Sequence, residues 1–275
     1  MKSIIAIANQ KGGVGKTTTA VNLAASLAAN QRRVLLIDID PQGNATMGSG
    51  VDKGALSMTT CDVLLDDAAI ADALVAVDPG GYALLGSNQD LTAAEVRLLV
   101  GGDGGAMKLR QSLQALRGVF DVILVDCPPS LNMLTVNALV AADSVLIPMQ
   151  CEYYAMEGLS ALLSTVEQLR GAVNPVLEIE GILRTMYDPR NNLASEVSAQ
   201  LIAHFGDKVF RTIIPRNIRL AEAPSFGKPV LFHDRDSRGA TSYLALATEM
   251  IQRDNGAAGG DGAMLEDTTL MGDPP

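Results

Sequence analysis

Residues 11–18 read Lys-Gly-Gly-Val-Gly-Lys-Thr-Thr and follow closely on the apolar run Ile4-Ile5-Ala6-Ile7-Ala8. The order predicted from this stretch is a buried strand over 4–8, a glycine-rich turn and an Ala- and Leu-rich helix over 17–29. Gly12, Gly13 and Gly15 let the backbone curl and turn successive N–H groups inward, a nest for phosphate oxygens. Lys16 supplies a mobile positive charge for the outer phosphates. Thr17 supplies a hydroxyl for Mg²⁺, and the helix that begins there points the positive end of its dipole at the anion. The expected phosphate-contacting set is therefore Lys11, Gly12, Gly13, Val14, Gly15, Lys16, Thr17 and Thr18.

The ordinary pattern G-x-x-x-x-G-K-[ST] asks for glycine at position 10, where this chain has Gln10. A second lysine, Lys11, opens the loop instead. It lies too far back to duplicate Lys16 on the same phosphate and is better placed to project outward.

The rest of the chain supports a sheet around this loop. Continuous apolar runs predict strands over 33–38, 121–126, 144–148, 177–183 and 211–214, with a weaker one over 82–85 and the run at 144–148 ended by Pro148. Helices are predicted over 91–99, 107–116, 157–169 and 193–205. Unbroken β-branched strands joined by helices indicate an α/β fold: a doubly wound, mostly parallel sheet with helices on both faces. Ligands then bind beyond the carboxyl ends of the strands. Residues 46–81 read as less regular, and Gly101-Gly102-Asp103-Gly104-Gly105 as a flexible break.

Composition bounds the rest. With 275 residues, 48% of them hydrophobic, the chain suffices for one large domain, here 1–253, and a tail. Residues 254–275 are rich in Gly, Ala and Asp, lack Lys and Arg, and read as a disordered acidic tail. No apolar run reaches the length of a membrane span, and no leader pattern precedes the first strand, so a cytoplasmic protein is expected. Cys61, Cys127 and Cys151 are widely spaced and form no C-x-x-C pair, so buried thiols are expected rather than zinc. Net charge is −10, yet nine basic and six acidic residues fall between Arg184 and Arg238, leaving that segment at +3 and the remainder at −13. A local basic face of that kind can bind phosphates on an acidic protein, and an ordinary solvated surface would show the same count.

Two acidic blocks end strands. In Leu36-Ile37-Asp38-Ile39-Asp40-Pro41-Gln42-Gly43-Asn44, strand period puts Asp38 and Asp40 on one side. Paired carboxylates near a phosphate loop fit magnesium-shell and water-positioning work, while Pro41 and Gly43 serve a turn. In Val122-Ile123-Leu124-Val125-Asp126, the strand buries itself and Asp126 emerges at its end, where it can hold Mg²⁺ through water.

The block KGGVGKTT, the LIDIDPQGN block at 36–44 and Ile213-Ile214-Pro215-Arg216-Asn217-Ile218-Arg219-Leu220-Ala221-Glu222-Ala223-Pro224 together resemble the ParA/Soj branch of the MinD-type P-loop ATPases, whose loop is called a deviant Walker A motif. The matched blocks run from Ile4 to Tyr243. The resemblance implies ATP and Mg²⁺ as cofactors, with Pro215 and Asn217 near the adenine. It implies catalytic roles for Lys11, Lys16 and Asp40: Lys11 crosses a homodimer interface to the partner's nucleotide, and Asp40 orients the attacking water. It implies that Thr17, Asp38 and Asp126 serve the metal. Arg190 and Arg219 match arginines on a face that binds double-stranded DNA without sequence preference, and each can equally be a surface ion pair. A ParB-like partner would stimulate a weak hydrolysis, and the ATP-bound form would sit on the nucleoid. Cys151-Glu152-Tyr153-Tyr154 falls on the expected dimer face, although the tyrosines suit packing too. The P-loop follows directly on the first strand, so the short chromosomal Soj-type form, without an extra N-terminal DNA-reading domain, is expected. The nearest alternative, a MinD-like division-site ATPase, would need a basic amphipathic helix at the C-terminus. The nitrogenase iron protein shares the loop, and its cluster needs two suitably placed cysteines per subunit; Cys127 abuts Asp126 and Cys151 opens the next loop, so packing is expected and not an iron–sulfur cluster.

Overall fold

Strands that are apolar at every position must be covered on both faces, and the computed structural model, which describes residues 4–66 and 68–260, meets that demand with helices on either side of one sheet. The chain opens with β1 (Ile4–Ile7), α1 (Lys16–Ala29), β2 (Val34–Asp38), α2 (Asn44–Gly48) and α3 (Thr60–Leu65). It continues through β3 (Leu74–Val77), β4 (Tyr82–Leu85), α4 (Leu91–Val100), α5 (Gly102–Ala106) and α6 (Lys108–Leu113) to β5 (Val122–Asp126). Then come α7 (Met133–Ala141), β6 (Ser144–Gln150), α8 (Ala155–Ala172), β7 (Glu178–Tyr187) and α9 (Asn192–Phe205). Last are β8 (Val209–Pro215), α10 (Ile218–Glu222), α11 (Val230–His233) and α12 (Arg238–Gly260).

The sheet order is β3-β4-β2-β5-β1-β6-β7-β8. Every pairing is parallel except β3 with β4. Alternation splits the strands between two cores. Ala6, Leu35, Ile37 and Val125 pack with helices α3, α4 and α6–α9. Ile5, Ile7, Leu36 and Leu124 pack with α1 and α10–α12. The register decides the function of the top edge: β5 pairs Asp126 with Ile7 on one side and with Asp38 on the other. The phosphate loop and both acidic strand ends therefore arrive side by side.

The doubly wound α/β expectation holds, with four local corrections. The irregular stretch 46–81 holds α3 and the antiparallel edge strand β3. The glycine cluster at 101–105 is a helical turn, α5, where a side chain on Gly105 would clash with the Leu98 carbonyl oxygen. β6 runs past Pro148 to Gln150, because β1 stops opposite Leu146 and the Pro148 carbonyl, on that same side, accepts from Asn9 Nδ2 at 2.8 Å. No ladder N–H is needed there. Finally, α12 continues through residues 254–260, the first part of the predicted tail. The remaining tail, 261–275, lies outside the described residues. No helix among the described residues is long and apolar enough to cross a membrane.

Candidate functional site

The loop after β1 is shaped by two left-handed residues, Gly13 (φ 74°) and Gly15 (φ 89°), which only glycine adopts without strain. Between them Val14 is buried, and its carbonyl accepts from Thr185 Oγ1 at 2.7 Å, which ties the loop to β7. Gly15 hands the chain to α1, a helix of 14 residues whose first turn carries no side-chain cap and no acid. Such a helix start, with its N–H groups pointing outward, is a seat for an anion. Lys16 Nζ folds back onto the Lys11 carbonyl oxygen at 3.0 Å. Burial lowers the Lys16 pKa, and the charges of Asp126, Cys127 and Asp40 work against that shift.

The carboxylates differ sharply in their partners. Asp38 is fully buried and committed: its Oδ2 accepts from the Thr46 N–H and hydroxyl, both at 2.8 Å, and its Oδ1 from the Asp40 N–H at 3.1 Å. Burial still pushes its pKa up to about 6. Asp40 gives Oδ1 to the Gln42 N–H at 2.9 Å, and its carbonyl accepts from Ser87 Oγ at 2.7 Å. Asp126 is fully buried and neither carboxylate oxygen has a hydrogen-bond partner of ordinary geometry. Burial raises its pKa well above the usual carboxylate range, and the Asp38 charge adds to this. The neighbouring Thr17 hydroxyl opposes the shift.

A buried carboxylate without a partner is unfavourable unless something completes it. Among the described residues no group of three or more His, Cys, Asp or Glu side chains can cage a metal. The donor set is instead one free carboxylate and a hydroxyl beside a phosphate seat. That set fits Mg²⁺, which takes one or two carboxylates and completes its shell with water and phosphate oxygens.

A cavity of about 160 Å³ adjoins the loop, lined by Gly15, Thr18, Met186, Pro215, Asn217 and Tyr243 among others. Asn217 Oδ1 caps α10 by accepting from the Arg219 and Leu220 N–H groups at 2.9 and 3.3 Å. The two residues expected at the base thus share one recess with the end of the phosphate loop. Lys11, outermost on the loop, forms an ion pair with Glu152, next to the exposed edge-to-face pair Tyr153 and Tyr154.

The basic face is more modest than its charge count. Arg184 is buried, and its guanidinium donates to Ser198 Oγ and to the Phe210 and Arg211 carbonyls, so it is an internal strut. Arg190 is exposed and grips Asp188 through Nε at 2.9 Å and Nη2 at 2.7 Å. Arg219 pairs with Glu222 at 2.8 Å and Asp234 at 3.1 Å. Cys127 and Cys151 are buried, as expected, whereas Cys61, in the first turn of α3, is only partly buried; burial raises all three thiols, Cys151 to about 11. Asn9, Thr46, Ser87 and Thr185, which hold the loops in place, carried no sequence signal, since each acts on a residue distant in the chain or through its own backbone turn.

Comparison with known proteins agrees with this geometry. Residues 2–179 match the family model described as an AAA domain. The chain is 50% identical over 255 residues to the chromosome partitioning protein ParA of Caulobacter vibrioides, covering 91% of this chain and 94% of that one. It is 51% identical over 250 residues to the sporulation initiation inhibitor protein Soj of Bacillus subtilis, covering 91% and 98%. Among solved structures, a cobyrinic acid a,c-diamide synthase of Mycobacterium smegmatis with bound ADP and magnesium superposes with a TM-score of 0.81 at 37% identity, covering 94% of this chain and 97% of that one.

Proposed function

This chain belongs to the ParA/Soj family of chromosome-partitioning P-loop ATPases, and from that premise we propose that ATP joins two copies of it into a DNA-binding dimer that hydrolysis releases. The observation that carries the reading is the uncapped start of α1, with Lys16 folded over the loop before it and Asp126 left without a partner.

Each residue's part follows from its surroundings. The N–H groups of Gly12 through Thr18 and the Lys16 ammonium bind the phosphates of ATP, while Pro215 and Asn217 border the base. Thr17 and Asp126 would hold Mg²⁺, with Asp38 fixing the loop beside them; when bound, that ion neutralises charge on the outer phosphate oxygens. Asp40 keeps one carboxylate oxygen on Gln42 and has the other free to orient a water toward the γ-phosphate. Lys11 from each subunit neutralises charge on the other's nucleotide, so the triphosphate draws the subunits together. Pairing places two weak basic faces, including Arg190 and Arg219, on one particle, and the combined affinity for duplex DNA rises by multivalency. Hydrolysis to ADP and phosphate removes the shared charge and frees the DNA. Basal turnover is slow, and a ParB-like partner stimulates it. The ATP form sits on the nucleoid and the ADP form in the cytoplasm.

Light scattering with ADP and with a non-hydrolysable ATP analogue tests this directly. The mass should double only with the analogue, and only that form should retain labelled duplex DNA of arbitrary sequence in a salt-sensitive way. Equal masses in the two nucleotides would overturn the reading.

A further inference from the structure

Lys11 is aimed by a small chain of bonds that begins inside the sheet. Buried Asn9 donates from Nδ2 to the Pro148 carbonyl on β6 at 2.8 Å and accepts the Lys11 N–H on Oδ1 at 3.0 Å. The start of the phosphate loop is thereby fastened to β6. Two residues past the end of that strand comes Glu152, and its carboxylate takes the Lys11 ammonium. The side chains are 42% and 50% exposed, so the pair stands at the surface, and the next two residues in the chain, Tyr153 and Tyr154, are exposed too. The Lys11 carbonyl, meanwhile, holds Lys16 Nζ. Both lysines of the loop are therefore engaged within one subunit.

The geometry points to Glu152 as an autoinhibitory contact: it parks Lys11 in its own subunit, and Lys11 reaches a partner's nucleotide only by exchanging the Glu152 carboxylate for triphosphate. The inference rests on the reading of Lys11 as a contact between subunits. An exposed ion pair is weak enough to be exchanged and strong enough to set a threshold. A triphosphate, with the denser negative charge, competes for the ammonium better than ADP does. Glu152 is thus a positioning residue, acting through Lys11 and not on the nucleotide of its own subunit.

The test compares wild type with Glu152→Gln, a surface change that keeps the side chain's shape. Light scattering against concentration of a non-hydrolysable ATP analogue should show the variant half-paired at about threefold lower analogue, the scale of an exposed ion pair. The gap should close in high salt, which screens the pair in wild type. Fluorescent ADP should bind single subunits of both proteins equally, a readout that a merely structural defect would disturb. If wild type pairs and Glu152→Gln needs as much analogue or more, the carboxylate does not restrain Lys11, and the exchange alone is overturned. If wild type never pairs with the analogue, the dimer reading falls and takes the exchange with it.

Discussion

The carboxyl ends of β1, β2 and β5 and the basic segment around β8 and α10 both carry charge, and they treat it in opposite ways. At the strand ends, ionisable groups are buried with their needs unmet: Asp126 has the Thr17 hydroxyl nearby but no hydrogen bond of ordinary geometry, and Lys16 has only a loop carbonyl. In the basic segment the exposed arginines singled out are already paired, Arg190 with Asp188 and Arg219 with Glu222 and Asp234. Buried Arg184 donates from both terminal nitrogens to Ser198 and to backbone carbonyls and leaves only its Nε without an acceptor. An unmet buried charge marks a site built for one ligand, because only that ligand relieves it. Paired exposed charges mark a surface whose contacts are exchangeable, which suits DNA bound without sequence preference. The first region should therefore respond to single substitutions by large factors, and the second by small, salt-dependent ones.

The most damaging change predicted by this contrast is Lys16→Ala. It removes the ammonium assigned to the outer phosphates in the proposed function, and nucleotide affinity should fall about 100-fold, the scale of a charge-assisted hydrogen bond lost in a buried site. Titration with fluorescent ADP and ATP reads this, and a loss below tenfold would mean that the loop's N–H groups bind phosphate with little help.

Asp126→Asn separates stability from function in the same region. Folding raises the Asp126 and Asp38 carboxyls above their unfolded values of about 4. The folded chain thus holds protons that the unfolded chain has released. Their favourable contribution is complete below about pH 4 and is lost as pH rises, by about pH 6 for Asp38. In chelator without nucleotide, wild type should melt lower at pH 8 than at pH 5. Asp126→Asn should flatten that slope and raise the pH 8 midpoint by about 2–4 °C, while abolishing the part of nucleotide affinity that magnesium adds. An unchanged slope would show that Asp126 is solvated as the protein breathes and does not carry the unmet charge assigned to it.

The contrast also sorts what was legible in the sequence. The phosphate loop could be read because backbone geometry demands glycine at 13 and 15 and chemistry demands Lys16 and Thr17. Asp38 and Asp126 could be read because unbroken apolar strands leave no doubt where their ends lie. Pairing across the sheet could not: that Asp38 is spoken for by Thr46 while Asp126 is not depends on contacts between segments, and the two acids look alike on paper. β3 escaped because Leu74–Val77 is a short, partly exposed edge strand with no alternation to distinguish it. α12 escaped although Ala240, Tyr243, Leu246, Ala247 and Met250 follow helical spacing; its purpose appears only where Tyr243 meets Thr19 across the core at 3.1 Å. Of Arg219's two acids, Glu222 lies three residues on, at helical spacing, whereas Asp234 is brought in by the fold of α11.

The smallest expected effect lies in that arginine cluster and probes the surface half of the contrast. Glu222→Gln removes one of the two acids on Arg219 and with it one negative charge per subunit, leaving Asp234 to hold the guanidinium in place. If Arg219 faces DNA, releasing it should tighten binding of the ATP-analogue form to labelled duplex by about threefold at low salt, with the gain shrinking as salt rises. Arg219→Glu reverses the sign at the same spot and should weaken binding more than its neighbour strengthens it, with pairing on the analogue retained. Fluorescence anisotropy at two salt concentrations measures both. The informative failure is asymmetric: loss on Arg219→Glu without gain on Glu222→Gln would mean that DNA already displaces Glu222 in the wild type, so that the ion pair belongs to the free protein alone. No response to either variant would remove Arg219 from the DNA face and leave the charge count of this segment without a role.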